Sequence, residues 1–596
     1  MHGREGLIRG AIMRKSPPAK SLLPAERRQR LEGLFPLWKA ATLSQFFDAR
    51  AHRYPRRPLI LGDERTYSYR EMMEWSRRLA SGLIACGVRS GSHVAIVLGN
   101  FAEFVAVKLA IARVGATAVP VNFLLRRMEL RYILEQSDSV ALITMSALRD
   151  LDYMEELDGI APGWEGRGGG EALPKLRHVF VYPTTPLGRA GVRTLEDLAN
   201  LATPESDTEL TRREAAGQPH GCCDIIYTSG TTGRSKGVIL THDMVLRTAY
   251  ASAYTRAFED GRRILFALPM YHVFGYIECL VACAFAGGAI VPRVVFDAQQ
   301  MLEAAERHRA SEIVCVPTMT LKLIEVARTR GFDPSHLVAF FNSGGVSPPA
   351  IWGQIRELFA PREILTAYGM SETTASTACT LPEDPDERLL TTNGRLKPAG
   401  VAGDPTLGGV LAIYKAVDPE TGEDLPPGKP GEFLVRGPAV TQAYYNKPDE
   451  TRAAFTDGWL HTGDIGVVAA DGYLTLLGRI KESYRCGGEI VIPLEIEELV
   501  SQHPGVAQAL VVGVPDSKMG EVGCLCIVST SSERPEPQAL ISLCAQRLAR
   551  FKVPRHVIFI AAQDIPTTAT GRPQKFKLAE LARRRLAETL TLPSCS

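Results

Sequence analysis

Tyr227-Thr228-Ser229-Gly230-Thr231-Thr232-Gly233-Arg234-Ser235-Lys236-Gly237-Val238 packs three glycines, five serine or threonine hydroxyls and a lysine into twelve residues. Ile225-Ile226 leads in and Val238-Ile239-Leu240 leads out. The pattern reads as a strand, an anion-handling loop, and a second strand or helix start. Glycines let backbone N–H groups approach an anion, hydroxyls add donors, and Lys236 adds a point charge. The run is not a Walker A loop, which needs G-x-x-x-x-G-K-[ST]; Lys236 follows Ser235 and precedes Gly237. Hydroxyl-rich stretches are more often plain surface loops, so the rest of the chain has to decide.

Upstream, residues 43–121 alternate helical and strand patterns. Apolar spacing predicts a helix over 69–87, a buried strand over 93–98, a helix over 101–114 and a strand over 116–121. Residues 140–145 and 178–182 read as further buried strands. This alternation predicts parallel sheets covered by helices. Between them, 163–170 is glycine-rich without strand-to-helix context and reads as a surface loop. Downstream, 312–317 and 339–341 read as strands, and 404–436 as a turn-rich β subdomain. Residues 493–500 form an amphipathic helix pattern and 507–514 a strand, the signature of a small α+β domain.

A chain of 596 residues has to be multidomain. A net charge of +2 gives no argument for a nucleic-acid partner. The twelve cysteines include no CxxC pair and no zinc-site spacing, so they read as buried thiols suited to a reducing, cytoplasmic setting. The first thirty residues are basic, and no apolar signal core follows them. Residues 279–292 are the most lipid-like stretch but too short to span a bilayer, so they are expected to be core helix plus strand, with no transmembrane segment in the chain.

In its order of residues, 227–238 closely resembles the phosphate loop of the adenylate-forming enzymes: acyl-CoA synthetases, luciferases and peptide-synthetase adenylation domains. Ser235 stands where proline is usual. The resemblance continues in order through five or more motifs, from about residue 43 to 578. It assigns Thr228, Ser229, Gly230, Thr231, Thr232 and Gly233 to ATP phosphates, with Lys236 as a catalytic cation. Leu268-Pro269-Met270-Tyr271-His272-Val273-Phe274-Gly275 resembles Pro-x-x-His-x-x-Gly, making His272 and Phe274 walls of the acyl pocket at the reaction centre. Asn342-Ser343-Gly344-Gly345 matches the loop lying along adenine. Thr366-Ala367-Tyr368-Gly369-Met370-Ser371-Glu372-Thr373 resembles Tyr-Gly-x-Thr-Glu. There Tyr368 stacks on adenine, Gly369 and Met370 line the cleft, Ser371 sits near the phosphates, and Glu372 holds Mg²⁺. Asp464 takes the ribose hydroxyls, Arg479 lies at the ribose–phosphate side, Lys481 is the hinge pivot, and Gly487 and Gly488 line the path of CoA.

The implied fold class is α/β: a large N-terminal domain of two α/β subdomains with parallel-rich sheets plus a small β subdomain, and a small mobile α+β C-terminal domain. The expected boundaries are a basic, disordered arm over 1–40, the adenylate-forming domain over 41–480 and the mobile domain over 481–596. One departure matters. The family delivers a catalytic lysine after a C-terminal glycine, and here Gly571 is followed by Arg572, with Lys575 three residues on. Arginine keeps the charge but is a planar fork instead of a compact point.

The expected activity is ATP- and Mg²⁺-dependent joining of a fatty or aryl carboxylate to CoA. Loading of a separate carrier protein, or a non-catalytic nucleotide- or acyl-binding role, stays open, as does the oligomeric state.

Overall fold

The computed structural model describes residues 22–228, 234–345, 347, 350–487, 489–530, 534–568 and 573–591. Two parallel-rich sheets form the body. One has six strands in the spatial order Lys236–Thr241, Cys222–Thr228, Thr117–Pro120, His93–Val97, Ser139–Met145, His178–Tyr182. All neighbours run parallel except the edge strand Lys236–Thr241, which pairs antiparallel with Cys222–Thr228. The other has seven strands, ordered Glu363–Leu365, Ala339–Asn342, Glu312–Cys315, Arg263–Phe266, Ala289–Pro292, Pro58–Leu61, Thr66–Ser68. Its strands are short and apolar because both faces are covered. One continuous core runs through both sheets and their helices.

Helix Tyr69–Ala85 shows how sequence sets this packing. Ser68 caps it by accepting from the Glu71 N–H at 3.2 Å, Glu71 returns the bond, and Met72, Met73, Leu79 and Leu83 share its buried face. An antiparallel β subdomain follows, built on Ile413–Val417, Pro430–Arg436, Trp459–Val468 and Leu474–Arg479. The C-terminal domain has its own core under a sheet that includes the long hairpin Val506–Asp516 and Gly520–Ser529. Arg485 in that domain meets Glu420 of the β subdomain at 2.8 Å.

Two expectations are corrected. Residues 163–170 do not form a plain surface loop. Trp164–Arg167 is a helical turn anchored by Trp164, which is buried and donates to Asp158 at 2.9 Å. The expected disordered arm contains helix Pro24–Leu34, which packs on the main core through Leu31. Its Arg27 is buried against Glu363, and Arg28 donates to the Tyr254 carbonyl at 3.0 Å. The 279–292 stretch is helix and strand as expected, but its helix is a π-helix, Phe274–Val281, continued by Ala282–Phe285.

Candidate active site

The hairpin of Cys222–Thr228 and Lys236–Thr241 brings Lys236 opposite Thr228 at the mouth of the first sheet. Ser229, Gly230, Thr231, Thr232 and Gly233, between them, lie outside the described residues. Lys236 is half-buried, and its Nζ sits 4.0 Å from the centre of the Tyr444 ring. Burial lowers its pKa; the charge of Lys481 pushes the same way and Glu372 opposes it.

Tyr444 also donates to Glu372 Oε1 at 3.0 Å. Glu372 is buried in the turn Ser371–Thr373, whose carbonyl at Glu372 accepts from the Thr441 N–H at 2.7 Å. Burial raises the Glu372 pKa, and the Tyr444 hydrogen bond, Lys236 and Arg479 hold it back. Among the described residues no cation lies within ion-pair distance of this carboxylate. A buried carboxylate whose ionisation lacks a close counter-charge fits one ligand of Mg²⁺, with phosphate oxygens and water completing the shell. Among the described residues no group of three acidic, histidine or cysteine side chains could hold a metal alone.

Tyr368 lies on strand Ala367–Met370, paired antiparallel with Ala375–Cys379. Its hydroxyl donates to Asp464 Oδ2 at 2.7 Å, and its ring meets Tyr414 and Phe433 edge-on. Asp464 is opposite Arg479 in register, and Arg479 Nε lies 2.7 Å from Asp464 Oδ1. A carboxylate has lone pairs beyond these two contacts, so Asp464 is oriented by Tyr368 and Arg479 while retaining acceptor capacity. Gly369 is required where it stands: a Cβ there would lie 2.0 Å from the Ala375 carbonyl oxygen. The chain then turns through Thr374 (φ 58°) and Ala375 (φ 108°), left-handed backbone for non-glycine residues beside the Glu372 turn.

The acyl-pocket motif abuts the adenine-loop motif. Phe274 packs edge-on to Phe341, and a Cβ on Gly344 would come within 3.4 Å of the Phe274 ring. Gly345 faces Pro317 with more room. His272 Nδ1 accepts from the Phe274 N–H at 3.2 Å, and burial lowers its pKa to about 4. A neutral ring is what an apolar wall needs. Met370 and Ser371 flank the Glu372 turn.

At the hinge, Lys481 lies in the turn Ile480–Glu482, next to Arg479. Gly487 donates its N–H to the Met519 carbonyl at 2.8 Å; Gly488 lies outside the described residues. So does Arg572, although its flanks Thr567 and Pro573 bridge across it. Lys575 is held 2.7 Å from Glu497 within the C-terminal domain, so its ammonium is engaged there.

Sequence reasoning missed Tyr444 and the buried Glu278 and Lys397 pair, 3.0 Å apart. Tyr444 was findable only through its partners, since a tyrosine alone carries no charge pattern.

Comparison with known proteins identifies the family. Residues 47–445 match the model of the AMP-binding enzymes, and 495–572 match that of their C-terminal domain. The chain is 33% identical to YngI of Bacillus subtilis, a provisionally assigned acyl-CoA synthetase, over 91% of this chain and 97% of that one. It is 29% identical to a mitochondrial medium-chain acyl-CoA ligase of Danio rerio, covering 97% of this chain and 94% of the relative. Among solved structures, ATP-bound MatB of Rhodopseudomonas palustris superposes with a TM-score of 0.76 at 26% identity, over 91% of this chain and 99% of the other.

Proposed function

The chain belongs to the AMP-binding enzyme family and is an acyl-CoA ligase by kinship, and from that premise we propose that it activates a fatty or aryl carboxylate and transfers it to CoA. The observation that carries this reading is two contact groups four residues apart in the chain: Lys236 lies over the Tyr444 ring, whose hydroxyl donates to Glu372, and Tyr368 donates to Asp464, which pairs with Arg479.

In the first step a carboxylate oxygen attacks the α-phosphorus of ATP, and the bond to pyrophosphate breaks. No proton has to be removed, so His272 acts as a wall and not a base. Lys236 and Arg572 supply positive charge where charge builds on the phosphate oxygens. Glu372 would hold Mg²⁺, whose chemistry when bound is to neutralise phosphate charge. Asp464 accepts from the ribose hydroxyls, Tyr368 and Gly344 border the adenine, and the Ser229–Gly233 loop takes the phosphates. In the second step the C-terminal domain turns about Lys481, bringing Gly487 and Gly488 to the face where the CoA thiol attacks the acyl carbon and AMP leaves. Rotation lets one cleft serve a polyphosphate first and a thiol later.

Tyr271, His272, Phe274 and Met370 favour an apolar acid over a polar amino acid. The medium-chain relative supports that choice, as does a Mycobacterium tuberculosis ligase, 31% identical, named for a methyl-dioxo-octahydro-indenyl propanoate. Eleven described cysteines are all free, which suits the reducing cytosol. Among the described residues no helix is long and apolar enough to cross a membrane.

The test is acid-dependent release of AMP and formation of acyl-CoA over a panel of fatty and aryl acids, with wild type and Arg572→Lys. Acyl-CoA from wild type with any apolar acid upholds the reading. Acyl-AMP without acyl-CoA moves the acceptor to a carrier protein. ATP binding without turnover by either form overturns the ligase.

A further inference from the structure

Glu278 lies in the π-helix Phe274–Val281, which starts at the pocket residue Phe274. It is 1% exposed, yet no nucleotide or substrate motif contains it. Its Oε1 accepts from the Ser376 N–H at 3.0 Å, from the Ser376 hydroxyl and from Lys397 Nζ at 3.0 Å. Its Oε2 accepts from the Ser252 hydroxyl at 2.5 Å. Arg256 donates to the Glu278 carbonyl and, at 2.8 Å, to Glu312 at the end of a central strand.

Ser376 is on the nucleotide side. It follows the left-handed Thr374 and Ala375, three positions after the Glu372 turn, and it pairs in register with Gly369. One carboxylate therefore spans the acyl-pocket helix and the strand pair that holds Tyr368 and Glu372. A π-helix is a rare geometry that occurs frequently at functional sites. This one has its mid-helix carbonyl bound from outside by Arg256, so its winding depends on partners beyond its own turn. A buried ion pair is weak support for stability by itself, because desolvation offsets its attraction. Its value here is in fixing two elements in one relation.

We propose that Glu278 is a positioning residue that ties the acyl-pocket helix to the nucleotide strand, so that ATP in its cleft sets the wall the acid meets. The inference rests on the ligase reading for what the two sites bind. It requires a contiguous contact path that nucleotide biases, and Glu278–Ser376 is that path.

Hydrogen exchange with MgATP as the only probe tests it without any acid. In wild type, MgATP should slow exchange over residues 371–373 and, at least threefold, over 274–281. Glu278→Gln leaves the buried Lys397 without its carboxylate and can unfold the chain, so Ser376→Ala carries the test. It removes one hydroxyl donor and leaves the buried charges paired. In Ser376→Ala the slowing over 274–281 should fall to less than half while 371–373 stays protected, and Ser376→Thr should restore it. Protection of 371–373 with 274–281 unmoved in wild type overturns the inference. So does full transmission in Ser376→Ala. Absence of MgATP protection at both segments instead overturns the ligase reading, and the inference falls with it.

Discussion

Glu372 and Lys236 sit against the same ring and are shifted in opposite senses by the same burial. The carboxylate is raised above its ordinary 4.5 and the ammonium lowered below its ordinary 10.5. Both must be charged to serve phosphate and metal, so activity should fall as pH drops through the raised carboxylate and as it climbs through the lowered ammonium. Tyr444 sets the acid side, because its hydrogen bond to Glu372 favours the ionised form. Tyr444→Phe removes that bond and keeps the ring under Lys236. A hydrogen bond to a charged group is worth roughly 1.5–3 kcal/mol, and about 1.4 kcal/mol is one pKa unit. The acid limb of kcat/KM should therefore move up by about one pH unit while the basic limb stays, as a pH profile of pyrophosphate release would read. Glu372→Gln should lose roughly 10²–10³ in rate, the cost of one well-placed electrostatic contact, and its Mg²⁺ titration should flatten.

At the scale of elements, the hairpin Ala367–Met370 and Ala375–Cys379 carries Tyr368 and frames the Glu372 turn. Gly369→Ala has nowhere to put its Cβ, since the obstacle is a backbone carbonyl at 2.0 Å and not a flexible side chain. Overpacking of this kind costs about 1–3 kcal/mol. The variant should melt several degrees lower and bind ATP at least tenfold more weakly, measured by thermal shift and calorimetry. The sequence told of this hairpin through Tyr368-Gly369 and the turn residues after it, and the alternating strands and helices of the first sheet were legible to within a residue or two. His93–Val97 and Ala102–Val114 follow the apolar periodicity closely. What was illegible depends on distant partners. Helix Pro24–Leu34 looks like a basic solvated arm until Glu363, 336 residues away, neutralises Arg27. The apolar run over 274–285 has no periodicity to separate π from α winding, and the Glu278 that fixes it reads as an isolated acid. Trp164 among glycines hid a buried anchor in what the composition marks as loop.

For the whole molecule, two joints matter. The first is rigid: Lys108 on helix Ala102–Val114 and Asp224 on the phosphate-loop strand meet at 2.7 Å, both buried, with the Tyr276 ring 4.8 Å from the ammonium. Lys108→Met strands Asp224 and should destabilise by about 3–5 kcal/mol, while adding Asp224→Leu should recover most of it, as denaturant midpoints would show. The second joint has to move. One contact between the domains is Arg485 with Glu420, an exposed pair of the kind worth at most about 1 kcal/mol, so this contact does not lock an orientation. The backbone at Lys481 then governs the exchange between the two steps. Proline fixes φ near −65° and removes the N–H, so Lys481→Pro restricts rotation while leaving the side chains of Lys236, Glu372 and Asp464 in place, its lost charge acting on Lys236 only electrostatically. Acid-dependent ATP–pyrophosphate exchange in this variant should stay within about threefold of wild type, whereas acyl-CoA formation should fall at least tenfold, in line with a conformational step controlling turnover. Rapid-quench measurement of acyl-AMP beside acyl-CoA separates the two. Equal loss of both would mean that one orientation serves both reactions and that Lys481 contributes through its charge beside Lys236, not through its backbone.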